Sequence, residues 1–237
     1  MMMRRILIML YMPFDSLYLY LVLPALIFSI WAQSRVTGSF KKYSAQRTVN
    51  GITGAEAARE VLRRAGVSDV QIQRVSGNLT DNFDPRTNVI RLSEKVYDAA
   101  SVAAVGVAAH EAGHAVQYAI GYSPMKVRSA IIPVTNIGSK LSIPLVLLGI
   151  IFSMPGLIDI GIILFGAVVV FQLVTLPVEF NASRRAIEVL SESGLLTGDE
   201  LPSAKKVLSA AALTYVGALA VSLAQLIRLI AISRNRR

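Results

Sequence analysis

Val107-Ala-Ala-His110-Glu111-Ala-Gly-His114-Ala-Val-Gln117 carries both histidines of the 237-residue chain. They stand four positions apart, with a glutamate directly after the first. On an α-helix such residues stack one turn above the other, so both imidazoles reach one point in space. Two neutral imidazoles meeting at one point suit a zinc ion. Glu111 lies on the adjoining edge of the helix, within reach of a water held there. It is placed to take that water's proton as a general base without ligating the metal itself. The plainer reading is a helix that happens to carry two histidines. The only two histidines of the chain falling at this spacing, around a glutamate, tell against it.

The flanks support a helix. Ser101 to Ala109 is rich in alanine, Ser101 is placed to act as N-cap, and Gly121 can end the helix beyond Tyr118. Apolar residues surround the motif, and a helix apolar nearly all round is buried. Buried histidines and glutamates cost free energy unless paired, so the motif calls for a partner.

Outward from this helix the chain is poor in charge. Hydrophobic residues make up 54% and charged residues 16%, with a mean hydropathy of +0.55. Soluble domains carry about 25% charged residues, so part of this chain is expected in a lipid bilayer. There is no cysteine, so a metal must be held by His, Asp or Glu. The net charge of +9 sits beside apolar segments, at Arg35, Lys41, Lys42 and Arg47, at Arg184 and Arg185, at Lys205 and Lys206, and at Arg234, Arg236 and Arg237. Cations in such places set membrane orientation and meet anionic headgroups. No recognition motif accompanies them, so nucleic acid is not an expected partner.

Ser16 to Ser34 is uncharged and long enough to span a bilayer, with Tyr18, Tyr20 and Trp31 suited to its interfaces. Residues 1–34 therefore read as an N-terminal anchor. Residues 35–130 read as a compact mixed domain holding the metal helix. In it Thr53-Gly-Ala-Glu56 is a capping box for a helix stopping at Gly66. Val70 to Val75 reads as a strand followed by a Gly77-Asn78 turn, and Val89-Ile-Arg-Leu92 as a second strand. Ser93-Glu94 opens another short helix. Residues 131–176 read as a transmembrane hairpin broken at Pro155-Gly156. Residues 177–206 read as a polar helix, and residues 207–237 as an apolar helix with a basic tail. The expectation is a mainly α, membrane-embedded protein with three or four transmembrane helices and a small β-hairpin.

A catalytic zinc needs a third protein ligand beside an open position. With two histidines and no cysteine, it must be one of fifteen carboxylates. Glu188, Glu192, Asp199 and Glu200 read as solvated. Glu179 differs, because on a helix from Val178 to Leu190 it shares a small, apolar face with Ala182, Ser183, Ala186 and Leu190. A carboxylate there needs a partner, either the metal or a nearby arginine. A hairpin returns the chain to the side it left, so Glu179 and the His-Glu-His helix fall on one face of the membrane. Asp159, near the hairpin tip, is the rival, since an ionisable residue within a membrane segment is a functional candidate by default. Asp159 as ligand would make the protein a site-2-type intramembrane metalloprotease, although residues 158–160 read Ile-Asp-Ile rather than the Leu-Asp-Gly usual there.

Four stretches together carry a family resemblance: Asp84-Pro-Arg-Thr-Asn88, Ile90-Arg-Leu-Ser93, Val107 to Gln117, and Leu176-Pro-Val-Glu-Phe-Asn-Ala-Ser-Arg-Arg185. From about residue 35 to 225 the chain resembles the YugP-type neutral zinc metallopeptidases of prokaryotic membranes, which are similar to the HtpX and CAAX-type membrane zincins. The resemblance implies a zincin-like (gluzincin) core and one zinc ion held by His110, His114 and Glu179. It implies hydrolysis of peptide bonds in protein or peptide substrates, with Glu111 as base. The chain departs from the relatives at Ser183 and Asn181, where acids are expected around the ligands. An oxyanion donor is also required, and Tyr215, Arg184 or a backbone N–H can serve. If Val89–Leu92 forms a sheet edge, an extended substrate can pair with it. The basic flanks point to a multi-pass prokaryotic inner-membrane protein with its active site on the cytoplasmic face. A zinc-binding scaffold without turnover is the alternative, against which the intact Glu111 speaks. The sequence leaves the oligomeric state open.

Overall fold

The computed structural model describes residues 15–77 and 80–234. Asn78 of the expected turn, the tail arginines at 236 and 237 and the residues before Asp15 lie outside the described residues. The elements in chain order are a π-helical turn Tyr18–Val22 continuing into α1 (Leu23–Ser44), then α2 (Gly54–Arg64), β1 (Gln71–Val75), β2 (Asn82–Asp84) and β3 (Val89–Ser93). There follow α3 (Glu94–Tyr97), α4 (Val102–Ala119), α5 (Ser123–Phe152), α6 (Pro155–Glu192) and α7 (Glu200–Arg234). Four helices are long and apolar enough to cross a membrane: Tyr18–Ser44, α5, α6 and α7.

The chain divides into two compact units. Among the described residues the first holds 15–31, Val127–Thr175 and 215–234. Its core is Val146, Ile150, Ile158 and Leu229. Here α5 and α6 approach closely at small residues. A side chain at Gly138 would strike the carbonyl of Leu164, and one at Gly161 that of Ser142. Such residues let helix backbones touch where lipid supplies no hydrophobic drive. Large apolar side chains such as Ile27, Ile30, Phe152 and Ile163 are exposed, as lipid-facing side chains are.

The second unit, Ala32–Lys126 with Leu176–Thr214, carries the mixed domain. The Thr53–Glu56 capping box forms as the motif dictates, with each side chain meeting the other's backbone N–H. The α4 helix starts at Ser101, whose hydroxyl accepts from the N–H of Ala104. It ends where Gly121 adopts φ +68°. Its alanines 103, 104, 108, 109, 112 and 115 are fully buried, so neighbouring helices can close on its backbone.

Three features depart from the sequence expectations. First, the sheet order is β1-β3-β2, with β1 parallel and β2 antiparallel to β3. Val89–Leu92 therefore lies in the central strand and not at an edge. A near-continuous apolar strand is buried on both faces, and in β3 only Arg91 escapes full burial. The edge that meets the metal helix is β2. Second, the hairpin's first helix begins at Ser123 rather than near residue 131, and its second helix runs on without a break to Glu192. No helix end marks residues 176/177, because Pro177 is accommodated within α6, although the two compact units divide at Thr175/Leu176, one residue from the expected boundary. Residues 200–206 likewise belong to α7. Third, Glu200 is buried, not solvated. Its carboxylate accepts the N–H groups of Val49 at 2.7 Å and Thr197 at 2.8 Å.

Candidate metal centre

The i, i+4 spacing on α4 brings the two imidazoles edge to face, with ring centroids 4.6 Å apart. The C-terminal half of α6 supplies the third group. Glu179 Oε2 lies 3.2 Å from His110 Nε2 and 3.4 Å from His114 Nε2. The three residues' ligand atoms all lie within 4.8 Å of one another. A tetrahedral centre with bonds of about 2.0–2.2 Å separates its ligand atoms by about 3.3–3.6 Å. The two Glu179–histidine spacings match that edge, and the donor set of two imidazoles and one carboxylate suits zinc. His110, His114 and Glu179 can therefore hold a zinc ion. Among the described residues this is the group of His, Asp and Glu side chains whose ligand atoms converge, and Asp159 is not a member.

Each imidazole is held from behind. His114 Nδ1 lies 3.0 Å from Gln117 Oε1. That oxygen can only accept, so Nδ1 carries the proton and Nε2 keeps its lone pair for a metal. Gln117 is fully buried and is itself fixed by donating to the carbonyl of Val178 at 2.8 Å and to Asn181 Oδ1 at 3.0 Å. The same Asn181 oxygen accepts from Arg185 Nε at 2.8 Å. His110 Nδ1 meets Ser183 Oγ at 3.1 Å. Ser183 thus touches His110 directly, and Asn181 reaches His114 through Gln117.

Close packing of α4 on α6 makes this possible. A Cβ at Gly113 would come within 2.7 Å of the carbonyl oxygen of Ala182. Only a residue without a side chain lets the two backbones meet there.

Glu111 sits at the edge of the sheet, where its Oε2 accepts the N–H of Phe83 at 3.0 Å. Burial pushes its carboxyl up to about 7; the neighbouring His110 and the Phe83 N–H oppose this, and the charges of Glu179 and Asp81 add to it. Asp81 is also raised by burial, although the backbone N–H and hydroxyl of Ser93 both bond it. Arg184 lies on an exposed face, 3.7 Å from Glu188. Tyr215 belongs to the first unit.

Gln117 and Gly113 were not singled out from the sequence. An amide one helical turn beyond His114, in a run otherwise apolar, was the available signal for Gln117. Nothing local marked Gly113, whose constraint comes from a helix some seventy positions away.

Residues 18–234 match the family described as "Putative neutral zinc metallopeptidase". The chain is 47% identical over 221 residues to "Putative membrane protease YugP" of Bacillus subtilis (strain 168), covering 93% of this chain and 98% of the relative. No solved structure matches the chain. With a His-His-Glu group spaced for a zinc ion and a match running almost end to end, the chain belongs to the neutral zinc metallopeptidase family.

Proposed function

We propose that this protein is a membrane-bound zinc metalloendopeptidase of the gluzincin type, cleaving peptide bonds of protein substrates at the cytoplasmic face. The convergence of both Nε2 atoms on one Glu179 oxygen, with Glu111 beside them, is the observation that carries this reading. His110, His114 and Glu179 would hold the metal. When bound, zinc would lower the pKa of a neighbouring water toward ~7 and polarise a carbonyl oxygen. Glu111 would accept a proton from water and return it to the leaving amine. A buried carboxylate that is not itself a ligand is placed for both halves of the transfer.

Gln117 and Ser183 keep each imidazole's Nδ1 engaged and its Nε2 turned to the metal. The outer edge of β2 takes the substrate backbone in place of Val89–Leu92. Phe83 N–H faces Glu111 and not β3, so a chain laid along that edge runs past the general base. A backbone N–H on this edge meets the developing oxyanion. The cations at Arg35, Lys41, Lys42 and Arg47, with those at 184, 185, 205 and 206, support the cytoplasmic placement.

The test uses purified protein in detergent with an unfolded protein as substrate. Glu111→Gln should retain zinc by elemental analysis and lose cutting by at least ~100-fold. Glu179→Ala should lose both. Cutting that persists in Glu111→Gln, or that chelator leaves untouched, would overturn the assignment.

A further inference from the structure

We infer that the second unit carries a discrete binding site for one anionic phospholipid, formed by two neighbouring cavities, one lined by α1 and α7 and one by α6 and α7, that share a stripe of α7. The first is a cavity of about 760 Å³ between the C-terminal part of α1 and the start of α7. Arg35 and Lys42 line it from α1, Lys205 and Lys206 from α7, and Ser34, Ser39 and Ser209 add hydroxyls. Among its described lining residues none is acidic. The second is a cavity of about 450 Å³ between α6 and α7, walled chiefly by Phe180, Ile187, Leu208, Ala212 and Leu213. Its rim acid, Glu188, is paired with Arg184.

Lys205, Ser209 and Leu213 line both cavities. They stand at i, i+4 and i+8, so they form one stripe along α7. Along that stripe the chemistry runs from cation to hydroxyl to leucine. That order matches a phosphate, the polar glycerol esters and an acyl chain.

The helices place this gradient correctly for a membrane. On α1 the cations follow the apolar run, and on α7 they precede it. Each cation group therefore lies where an apolar segment meets water. Tyr43, Ala103 and Val207 are buried together, with Phe40 and Val107 packed against them. The walls of the basic cavity are thus fixed against the metal helix and do not depend on a loop.

A diffuse basic flank would attract headgroups without selecting a molecule. Here a basic cavity and an apolar one share one stripe of α7, so the ligand is expected to need both halves. Free phosphate offers only one, and a zwitterionic lipid cancels the charge that four cations select. The site also touches the metal centre through Ser183, which lines the apolar cavity and bonds His110.

The experiment measures binding of fluorescent phosphatidylglycerol to full-length protein in detergent, with unlabelled phosphatidylglycerol, phosphatidylcholine and inorganic phosphate as competitors. Only phosphatidylglycerol should compete. A juxtamembrane cation contributes about 1 kcal/mol, or about fivefold, so Lys42→Gln and Lys206→Gln should each weaken binding about fivefold. Both side chains are exposed, so neither variant should disturb folding or zinc content. Ser209→Trp, exposed at the junction, should block binding while leaving the helical signal intact. Equal competition by phosphatidylcholine, full competition by inorganic phosphate, or unchanged affinity in the lysine and Ser209 variants would each overturn the inference. Zinc content and peptidase activity are read separately, so failure of the peptidase reading leaves this test intact.

Discussion

Gly113→Ala should damage the metal centre without touching a ligand. The added Cβ would lie 2.7 Å from the carbonyl oxygen of Ala182 and 3.3 Å from its carbonyl carbon. Carbon–oxygen contacts settle near ~3.3–3.6 Å, so α4 and α6 must separate locally by about 0.6 Å or more. Both partners are backbone, and no rotamer can relieve the clash. Glu179 stands on α6 one turn before Ala182, and His114 follows Gly113 directly. The Glu179-to-histidine spacings of 3.2 and 3.4 Å would then open towards ~3.8–4.0 Å. Metal–ligand distances tolerate only about 0.2 Å of error. Overpacking of this kind costs about 1–3 kcal/mol of stability. Zinc affinity should fall about 10–100-fold, as it does when groups that orient ligands are lost. Gly106→Ala is the control on the same helix. Its Cβ would meet the Cβ of Ala204 at 3.6 Å, an ordinary contact. That variant should bind zinc normally and gain up to ~1 kcal/mol from helix propensity. The assay is chelator-competition zinc titration beside thermal unfolding in detergent. Wild-type zinc affinity in Gly113→Ala would refute the claim that this close approach positions Glu179.

Three further outcomes are expected. Gln117→Ala should lower zinc affinity about 10–100-fold while leaving the helix formed, since it removes the acceptor that holds His114 and the bonds that tie it to Val178 and Asn181; unchanged affinity would assign Gln117 to packing alone. In chelator-treated protein, the carboxyl of Glu111 moves from 4.5 in the unfolded chain to about 7 in the folded one, chiefly through burial. The folded state then binds more protons across that window, so stability should fall as pH rises from about 4.5 to 7. Glu111→Gln should remove that slope from the melting temperature, and a slope that survives would show that another group titrates there. The third concerns the substrate edge. Replacing Phe83 by N-methyl-phenylalanine removes the N–H that holds Glu111 Oε2; cleavage should slow with zinc content unchanged, and an unaltered rate would separate Glu111 from β2.

Local physics was legible along the chain. The four-residue spacing of His110 and His114 needs nothing beyond helical geometry to bring the two rings together. The Thr53–Glu56 box, the Ser101 cap and the stop at Gly121 likewise depend on residues within one turn of each other. The break between α5 and α6 follows from Pro155, and the apolar runs from their own composition. Glu179 could be picked out because a carboxylate on an apolar helix face requires a partner, but its face alone could not choose between a metal and an arginine.

Tertiary structure decided what depends on distant neighbours. The meeting of Glu179 with both imidazoles joins residues more than sixty positions apart. So do the bonds of Gln117 to Val178 and Asn181 and the approach of Gly113 to Ala182. The central place of β3 was set by β1 and β2 closing on either side, and the burial of Glu200 by the arrival of Val49. Sequence determines which surfaces a segment presents, because that is a property of helical or pleated geometry. Which surface comes to rest against it is determined by packing across the whole chain, and the identity of each buried polar group's partner is settled only there.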